Sequence, residues 1–371
     1  MKVIVNRESF LAAFQLAAAV APNRSPRAIL ENVKLEIGDG TATLLATDTE
    51  VGIRAEISGV EAGESGVVLL PVGEFGNILR ESGDEKLTIT VGESGTVVEG
   101  QHSKFQLANA DPDEFPEVPE FTATSYIELQ ASVLKELIRR TLFATDNESS
   151  RYALGGVMLE LQGDTLVAVG TDGRRLAKME GPVTQVGEGS FTSAAVIVPS
   201  RSMSLIEKTC SDPEATIKIA PDDNSVLVKS PTTTIFSRLV EGRFPKWKDV
   251  FPKRKEAIQI DISTGPMHSA LRQAAIVARD ESRGVDFTFD SGTVVLSGST
   301  AEVGESRIEL PVAYDSEPLT ISLDHRFVED FLRVLSADTT FNLEIENRDA
   351  AALFTTNDGF AYVVMPLARD Q

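Results

Sequence analysis

The chain has 371 residues, 42% hydrophobic and 25% charged, a composition typical of globular proteins and a length beyond what one hydrophobic core usually supports. Its formal charge of −21 argues against stationary binding to nucleic acid, because that affinity comes from neutralising phosphates; a small positive surface inside an acidic exterior is still allowed. One cysteine excludes an intramolecular disulfide, the opening MKVIVNRESF lacks the apolar core of a secretion signal, and no apolar run reaches the ~18 residues of a membrane span, so a reducing, cytoplasmic setting is expected.

Taken in chain order, the predicted elements repeat three times. Residues 2–22, KVIVNRESFLAAFQLAAAVAP, read as a short alternating strand, a polar break and a helix-period segment. GTATLLATDTEVGIRAEI (40–57) then reads as paired strands, VVLLPVGEFGNILRES (67–82) as a strand entering a second helix, and GTVVEGQHSKFQLANA (95–110) as closing strands. The same order returns as YIELQASVLKELIRRTLFATD (126–146), GDTLVAVGTDGRRLAKME (163–180), VIVPSRSMSLIEKT (196–209) and NSVLVKSPTTTIFSRLV (224–240). It returns again as IQIDISTGPMHSALRQAAIVARD (258–280), GTVVLSGSTAEVGESRIEL (292–310), LTISLDHRFVEDFLRVL (319–335) and AALFTTNDGFAYVVMPLA (351–368).

A period of about 125 residues is far longer than the roughly 20–50 of a solenoid unit, so these are three domains of one topology. The proline-bearing links DPDEFPEVPEFTATS and GRFPKWKDVFPKRKEA separate them, giving domains 1–123, 124–254 and 255–371. Two helices on strand-rich sheet in each make the fold α+β. No dinucleotide fingerprint or phosphate-binding P-loop sequence occurs.

At 100° per residue, Val133, Leu134, Leu137, Ile138 and Leu142 share the core half of the first helix of the second domain, while Lys135, Arg139 and Arg140 share the other with Glu136. In the third domain Met267, Ala270, Leu271, Ala274, Ala275 and Ala278 form the core face, and His268, Arg272 and Arg279 line one flank. Ile276 falls opposite that core face and Val277 lies off it, the pattern of an apolar contact surface. Cys210, in Thr-Cys-Ser-Asp, reads as a helix end entering a loop.

The stretch VGTDGRRLA (169–177) offers a hydroxyl, a carboxylate and two guanidinium groups, the ingredients of phosphoryl or acyl chemistry. A nucleophile such as Thr171 needs a base within reach, and His102, His268 and His325 show no local pairing with it. No clustered metal-ligand spacing occurs, so neither metal nor cofactor is expected and catalysis is disfavoured. A secreted adhesion or scaffold protein is a further alternative, which the missing signal disfavours.

The three repeats, TDGRRLA, GRFPKW…FP and the terminal AYVVMPLA together resemble the bacterial DNA polymerase sliding clamp family, over essentially the whole chain. The resemblance implies a processivity factor without its own catalytic site, a head-to-tail homodimer closed into a six-domain ring around double-stranded DNA. Geometry agrees: a hole for hydrated duplex needs roughly 110 Å of circumference, about 12 helices at ~8–10 Å spacing, which two such chains supply. A ring held by topology has no need of tight phosphate contacts, which reconciles it with the acidic charge.

By the family pattern, Arg24 and Tyr152 approach DNA; the helix faces add Lys135, Arg139, Arg201 and Arg272 as further DNA-facing candidates. The resemblance also implies an apolar pocket for short linear peptides of the replicative polymerase, a separate ATP-dependent clamp loader and repair proteins, with no membrane partner. Its members here are Arg151, Leu154, Thr171, Gly173, Arg174, Arg175, Leu176, Pro245, Val250, Val363, Val364, Met365, Pro366 and Leu367. At the ring interface Phe105 and Leu107 meet Ile276 and Val277 of the neighbour. Asp249, Phe327 and Ser282 depart from the family's usual basic, tyrosine and aromatic residues, and the tail MPLARDQ is longer than usual, so the preferred peptide stays open.

Overall fold

A computed structural model of the chain describes residues 1–38, 41–146, 153–187, 195–252, 257–279 and 283–367. Six α-helices are described: α1 (Arg7–Ala18), α2 (Val72–Glu81), α3 (Ala131–Arg139), α4 (Ser200–Thr209), α5 (Thr264–Ala274) and α6 (His325–Arg333), two per repeat. Their starts follow local chemistry. The Asn6 side chain accepts a hydrogen bond from Ser9 N at 3.0 Å to cap α1, and the Asp324 carboxylate accepts from Arg326 N at 3.0 Å to cap α6. The core faces read from periodicity are present: Leu134, Leu137 and Ile138 are buried in α3, and Met267, Ala270, Leu271 and Ala274 in α5.

Both of these helices stop sooner than periodicity alone predicts. Leu142 lies in a separate 3-10 turn (Leu142–Ala144), and Ile276 and Val277 lie in another (Ala275–Val277). Arg140 is not on a solvated face: it bonds Glu136 at 2.8 Å and Asp358 at 2.7 Å, and its guanidinium lies over the Phe360 ring. Cys210 is buried one residue past α4.

The described strands form four antiparallel sheets, and the two larger ones are each shared by neighbouring repeats. In the nine-stranded sheet, Thr233–Arg238 of the second repeat pairs with Val51–Ile57 of the first, Phe236 opposite Gly52. In the eight-stranded sheet, Ala361–Val364 of the third repeat pairs with Arg175–Pro182 of the second, Val363 opposite Leu176. Strand pairing therefore joins one repeat to the next.

For this reason the compact units do not follow the repeats. One comprises Met1–Leu134, Val183–Ala194 and Arg201–Leu239; the other Lys135–Pro182, Ala195–Ser200 and Val240–Gln371. In the first, the core around α1 and α2 is aromatic, with Phe14 and Phe75 ring centroids 5.1 Å apart. In the second, Phe331 of α6 stacks on Tyr362 at 5.5 Å and on Phe360 at 5.3 Å. Tyr362, the largest fully buried side chain, thus ties α6 to the last described strand.

Two outermost strands carry or adjoin exposed apolar side chains. Lys104–Leu107 is the edge of the five-stranded sheet in the first unit, with Phe105 exposed and Leu107 half-buried. Gly304–Pro311 is the edge of the four-stranded sheet in the second, and Ser306 Oγ donates to Ala274 O at 2.8 Å, fastening that edge to the end of α5. Ile276 projects just beyond, 74% exposed.

Candidate functional site

The stretch 169–177 ends one strand, turns, and enters the next. Thr171 Oγ1 donates to Arg175 O at 2.6 Å and accepts from Gly173 N at 3.1 Å, while Asp172 Oδ1 accepts from Arg174 N at 2.9 Å and Arg175 N at 3.0 Å. Gly173 sits at φ +86°, in the left-handed region that a side chain disfavours. The hydroxyl and the carboxylate are therefore committed to closing the turn.

The first repeat builds the same turn without arginines. Thr47 Oγ1 donates to Val51 O at 2.8 Å and accepts from Thr49 N at 3.0 Å, and Asp48 Oδ1 accepts from Glu50 N at 3.0 Å and Val51 N at 2.7 Å. A feature that recurs with different flanking charges is a joint of the repeat, not a reaction centre. Among the described residues no group of three or more His, Cys, Asp and Glu side chains is placed to hold a metal ion.

Arg175 turns inward. Its Nε donates to Asp172 Oδ2 at 3.0 Å, Nη1 to Asp330 Oδ2 at 2.6 Å and Nη2 to Phe143 O at 2.7 Å, and its guanidinium lies 4.4 Å from the Phe327 ring centroid. Burial disfavours its charge, but Tyr362, Asp330 and Asp172 outweigh burial and raise its pKa further. Burial raises the Tyr362 phenol well above its ordinary value, and its hydroxyl donates to Phe327 O at 3.0 Å. Arg175 thus pins the turn to α6 and the last strand, where its charge holds the wall in place and is only 10% exposed.

Arg175→Ala leaves Asp172 and Asp330 without their shared partner and frees the Phe143 carbonyl, a loss of about 2–4 kcal/mol for a mostly buried pair. A fall in Tm of roughly 5–10 °C is expected. Arg175→Lys recovers only part of it, because an ammonium cannot serve three acceptors in a fork. An unchanged Tm in thermal unfolding refutes the bracing role.

Beside the turn lies one hydrophobic cluster that includes Ala153, Val169, Leu176, Trp247 and Val363, with Phe244 and Phe251 packed against it. Trp247 Nε1 donates to Glu160 Oε2 at 3.1 Å, and Lys248 Nζ donates to Glu160 Oε1 at 2.6 Å. Burial pushes the Glu160 carboxyl up, but these two donors outweigh it and hold its pKa below the ordinary value of 4.5. A depressed folded pKa means this stabilisation is present at neutral pH and is lost as pH falls below about 4.5 through the group's own lower value. Glu160→Gln is expected to shift the emission of Trp247, the chain's one tryptophan, at neutral pH. An unaltered spectrum argues against this anchor.

Leu154, Leu176, Val363, Val364 and Thr171 are buried, and Leu176 and Val363 belong to that cluster. Val250, Met365 and Leu367 are exposed, at 42%, 48% and 38%. Gly173 and Arg174 are exposed at the turn, and Pro245 and Pro366 are half-buried. Met365 N donates to Arg174 O at 2.9 Å and Leu367 N to Ser322 O at 2.9 Å, so Met365–Leu367 runs from the turn to the strand Leu319–Asp324 with its apolar side chains outward. Trp247, Glu160, Asp330 and Tyr362 were not singled out from sequence; the aromatic in GRFPKW was a usable signal for the first, and nothing local marks the others.

Arg151, Tyr152 and Ser282 lie outside the described residues, as does the tail from 368. Arg24, Lys135 and Arg272 are exposed. Arg139 bonds Glu136 at 3.0 Å, and Arg201 bonds Asp48 and donates to Val20 O at 3.0 Å. These two cations are partly neutralised on their own surface.

Three family models match in succession: the N-terminal domain of the DNA polymerase III beta subunit over residues 1–119, its central domain over 128–246 and its C-terminal domain over 248–368. The beta sliding clamp of Chlamydia pneumoniae is 30% identical over 370 residues, covering 99% of each chain; that of Pseudomonas putida is 29% identical, covering 99% of this chain and all of its own. A crystal structure of the Pseudomonas aeruginosa sliding clamp bound to griselimycin superposes with a TM-score of 0.93 at 26% identity, with both chains fully covered. With three domain models in order and this likeness along its full length, the chain belongs to the beta sliding clamp family, the beta subunit of bacterial DNA polymerase III.

Proposed function

We propose that the chain acts as a DNA sliding clamp, a processivity factor that encircles duplex DNA and tethers the replicative polymerase and other partners, without catalysis of its own. The full-length match to the three clamp domains in order carries this reading. The committed hydrogen bonds of Thr171 and Asp172 support it, since they remove the one stretch that resembled a reaction centre. Its three clamp domains are taken as 1–123, 124–254 and 255–371, and its place of work as the bacterial cytoplasm.

Two copies close head to tail: the Lys104–Leu107 edge of one, with Phe105 and Leu107, meets the end of α5 and the Gly304–Pro311 edge of the other, with Ile276 and Val277. Such a contact is heterologous, and two of them complete a ring. Arg24, Tyr152, Lys135, Arg139, Arg201 and Arg272 supply a weak, sequence-independent attraction for the duplex, while the net charge of −21 limits tight binding elsewhere. Peptides of partner proteins dock on the apolar rim of Val250, Met365 and Leu367 above Leu154, Leu176 and Val363. Arg174, Pro245 and Pro366 flank it, and Arg175 braces the wall.

Retention on nicked circular DNA after loading, compared before and after the circle is cut, tests the central claim. Retention on the circle that vanishes on linearisation is expected. Equal loss from both forms refutes topological linkage.

A further inference from the structure

The first repeat carries a counterpart of the docking surface proposed on the second. Arg27, Ala28, Ile29 and Leu30 precede the strand Asn32–Gly38 as Arg151, Tyr152, Ala153 and Leu154 precede Gly156–Gln162. Phe115, Pro116 and Val118 of the first linker have the spacing of Phe244, Pro245 and Trp247 of the second. The packing repeats as well. Leu45, Leu69, Phe115 and Val118 form a buried cluster with Ile29 against it, and Val169, Ile197, Phe244, Trp247 and Ala153 hold the matching places in the second repeat. Arg238 N donates to Glu50 O at 2.9 Å, as Met365 N does to Arg174 O.

The surface chemistry differs. Arg238, at the place of Met365, lies 3.7 Å from the Glu50 carboxylate, so an exposed ion pair replaces the exposed thioether. Arg54 pins the linker, donating to Val118 O at 3.2 Å and meeting Glu120 at 2.7 Å. Open space lies instead where the linker begins: a cavity of about 620 Å³ is lined by Arg27, Ala28, Ile29, Asn32, Ala110 and Glu114. Ile29 brings the apolar cluster to its wall, and Ala28 and Ala110 are exposed. Arg27 and Glu114 are exposed too, and among the described residues no ion pair or side-chain hydrogen bond engages either charge.

We propose that this cavity is a second docking site for linear peptides of partner proteins, selecting a small apolar residue with an acidic residue on one side and a basic residue on the other. The proposal rests on the docking reading given above, whose site supplies the pattern. The volume falls within the roughly 300–1,000 Å³ typical of ligand sites. Ala28, Ile29 and Ala110 receive the apolar residue, and the Arg27 guanidinium receives the carboxylate. Glu114 receives the cation, with Asp111 and Asp113 beside it on the same turn. These three carboxylates repel phosphate, which disfavours duplex DNA as the occupant. Charges of opposite sign across one cavity also set the direction in which a peptide lies.

The test titrates labelled hexapeptides against the full-length protein, with alanine, valine or leucine between an aspartate and a lysine in either order. Griselimycin, which binds the Pseudomonas aeruginosa relative, reports separately on the second-repeat site. One charge order is expected to bind, and to bind still when griselimycin is saturating. Ala110→Trp, which fills the cavity from an exposed position, and Arg27→Glu are each expected to weaken that peptide about tenfold, the scale of one partly screened charge-assisted contact or one lost apolar contact. Griselimycin affinity is expected to be the same in both variants. Peptide binding that is unaltered by Ala110→Trp and Arg27→Glu overturns the first-repeat site. Griselimycin binding with no peptide bound in either order overturns that site alone and leaves the second-repeat docking surface standing. Failure of the peptides and griselimycin together overturns both.

Discussion

Ile276→Asp is expected to convert the dimer into a 40.0 kDa monomer in sedimentation at micromolar concentration. Ile276 is exposed on the single chain, so the substitution removes nothing from the chain's own core and folding is expected to be unchanged. In the proposed ring contact the new carboxylate would meet the apolar surface of Phe105 and Leu107, where it loses water and gains no partner. An unpaired buried charge costs on the order of 3 kcal/mol at each contact. A head-to-tail ring contains the contact twice, so about 6 kcal/mol, or some four decades in dissociation constant, opposes closure. Phe105→Ala, which only trims the opposite side, is expected to weaken the dimer less. An unchanged dimer mass for Ile276→Asp rules out this interface.

Removal of residues 365–371 is expected to abolish peptide docking while the dimer persists. Griselimycin, bound in the Pseudomonas aeruginosa relative, is the probe. Met365 and Leu367 present apolar side chains from a segment whose backbone bonds Arg174 O and Ser322 O. Loss of two large apolar contacts, each worth about 1.5–3 kcal/mol, corresponds to at least a roughly hundredfold drop in affinity. Tyr362 and Val364 remain in place, so the strand Ala361–Val364 and the aromatic packing on Phe331 are retained. The double substitution Met365→Asp with Leu367→Asp keeps the backbone bonds and is expected to give the same loss. Retained affinity in both proteins means that the ligand binds elsewhere.

Much of the fold was legible because its signals are local. Alternation over Lys2–Asn6 puts Val3 and Val5 inward, and the 3.6-residue period of α3 and α5 identifies buried leucines and alanines. The ends of α3 and α5 were misjudged because the apolar pattern continues after the helical hydrogen bonding changes to a 3-10 turn. The site was legible only in part. Leu176 and Val363 do face each other in one cluster but are buried, and of the proposed docking residues Val250, Met365 and Leu367 are exposed.

The sequence by itself determined the threefold repeat, the α+β class, the two-helix content of each repeat and the misplaced apolar pair Ile276 and Val277. These depend on spacing along the chain, which periodicity and turn chemistry encode directly. Tertiary structure alone decided that the two large sheets run across the repeat boundaries and that Arg175 faces inward. The partners of Arg175 show the reason: Phe143, Asp330 and Tyr362 come from distant parts of the chain, and only their convergence turns a surface-type residue into a buried brace.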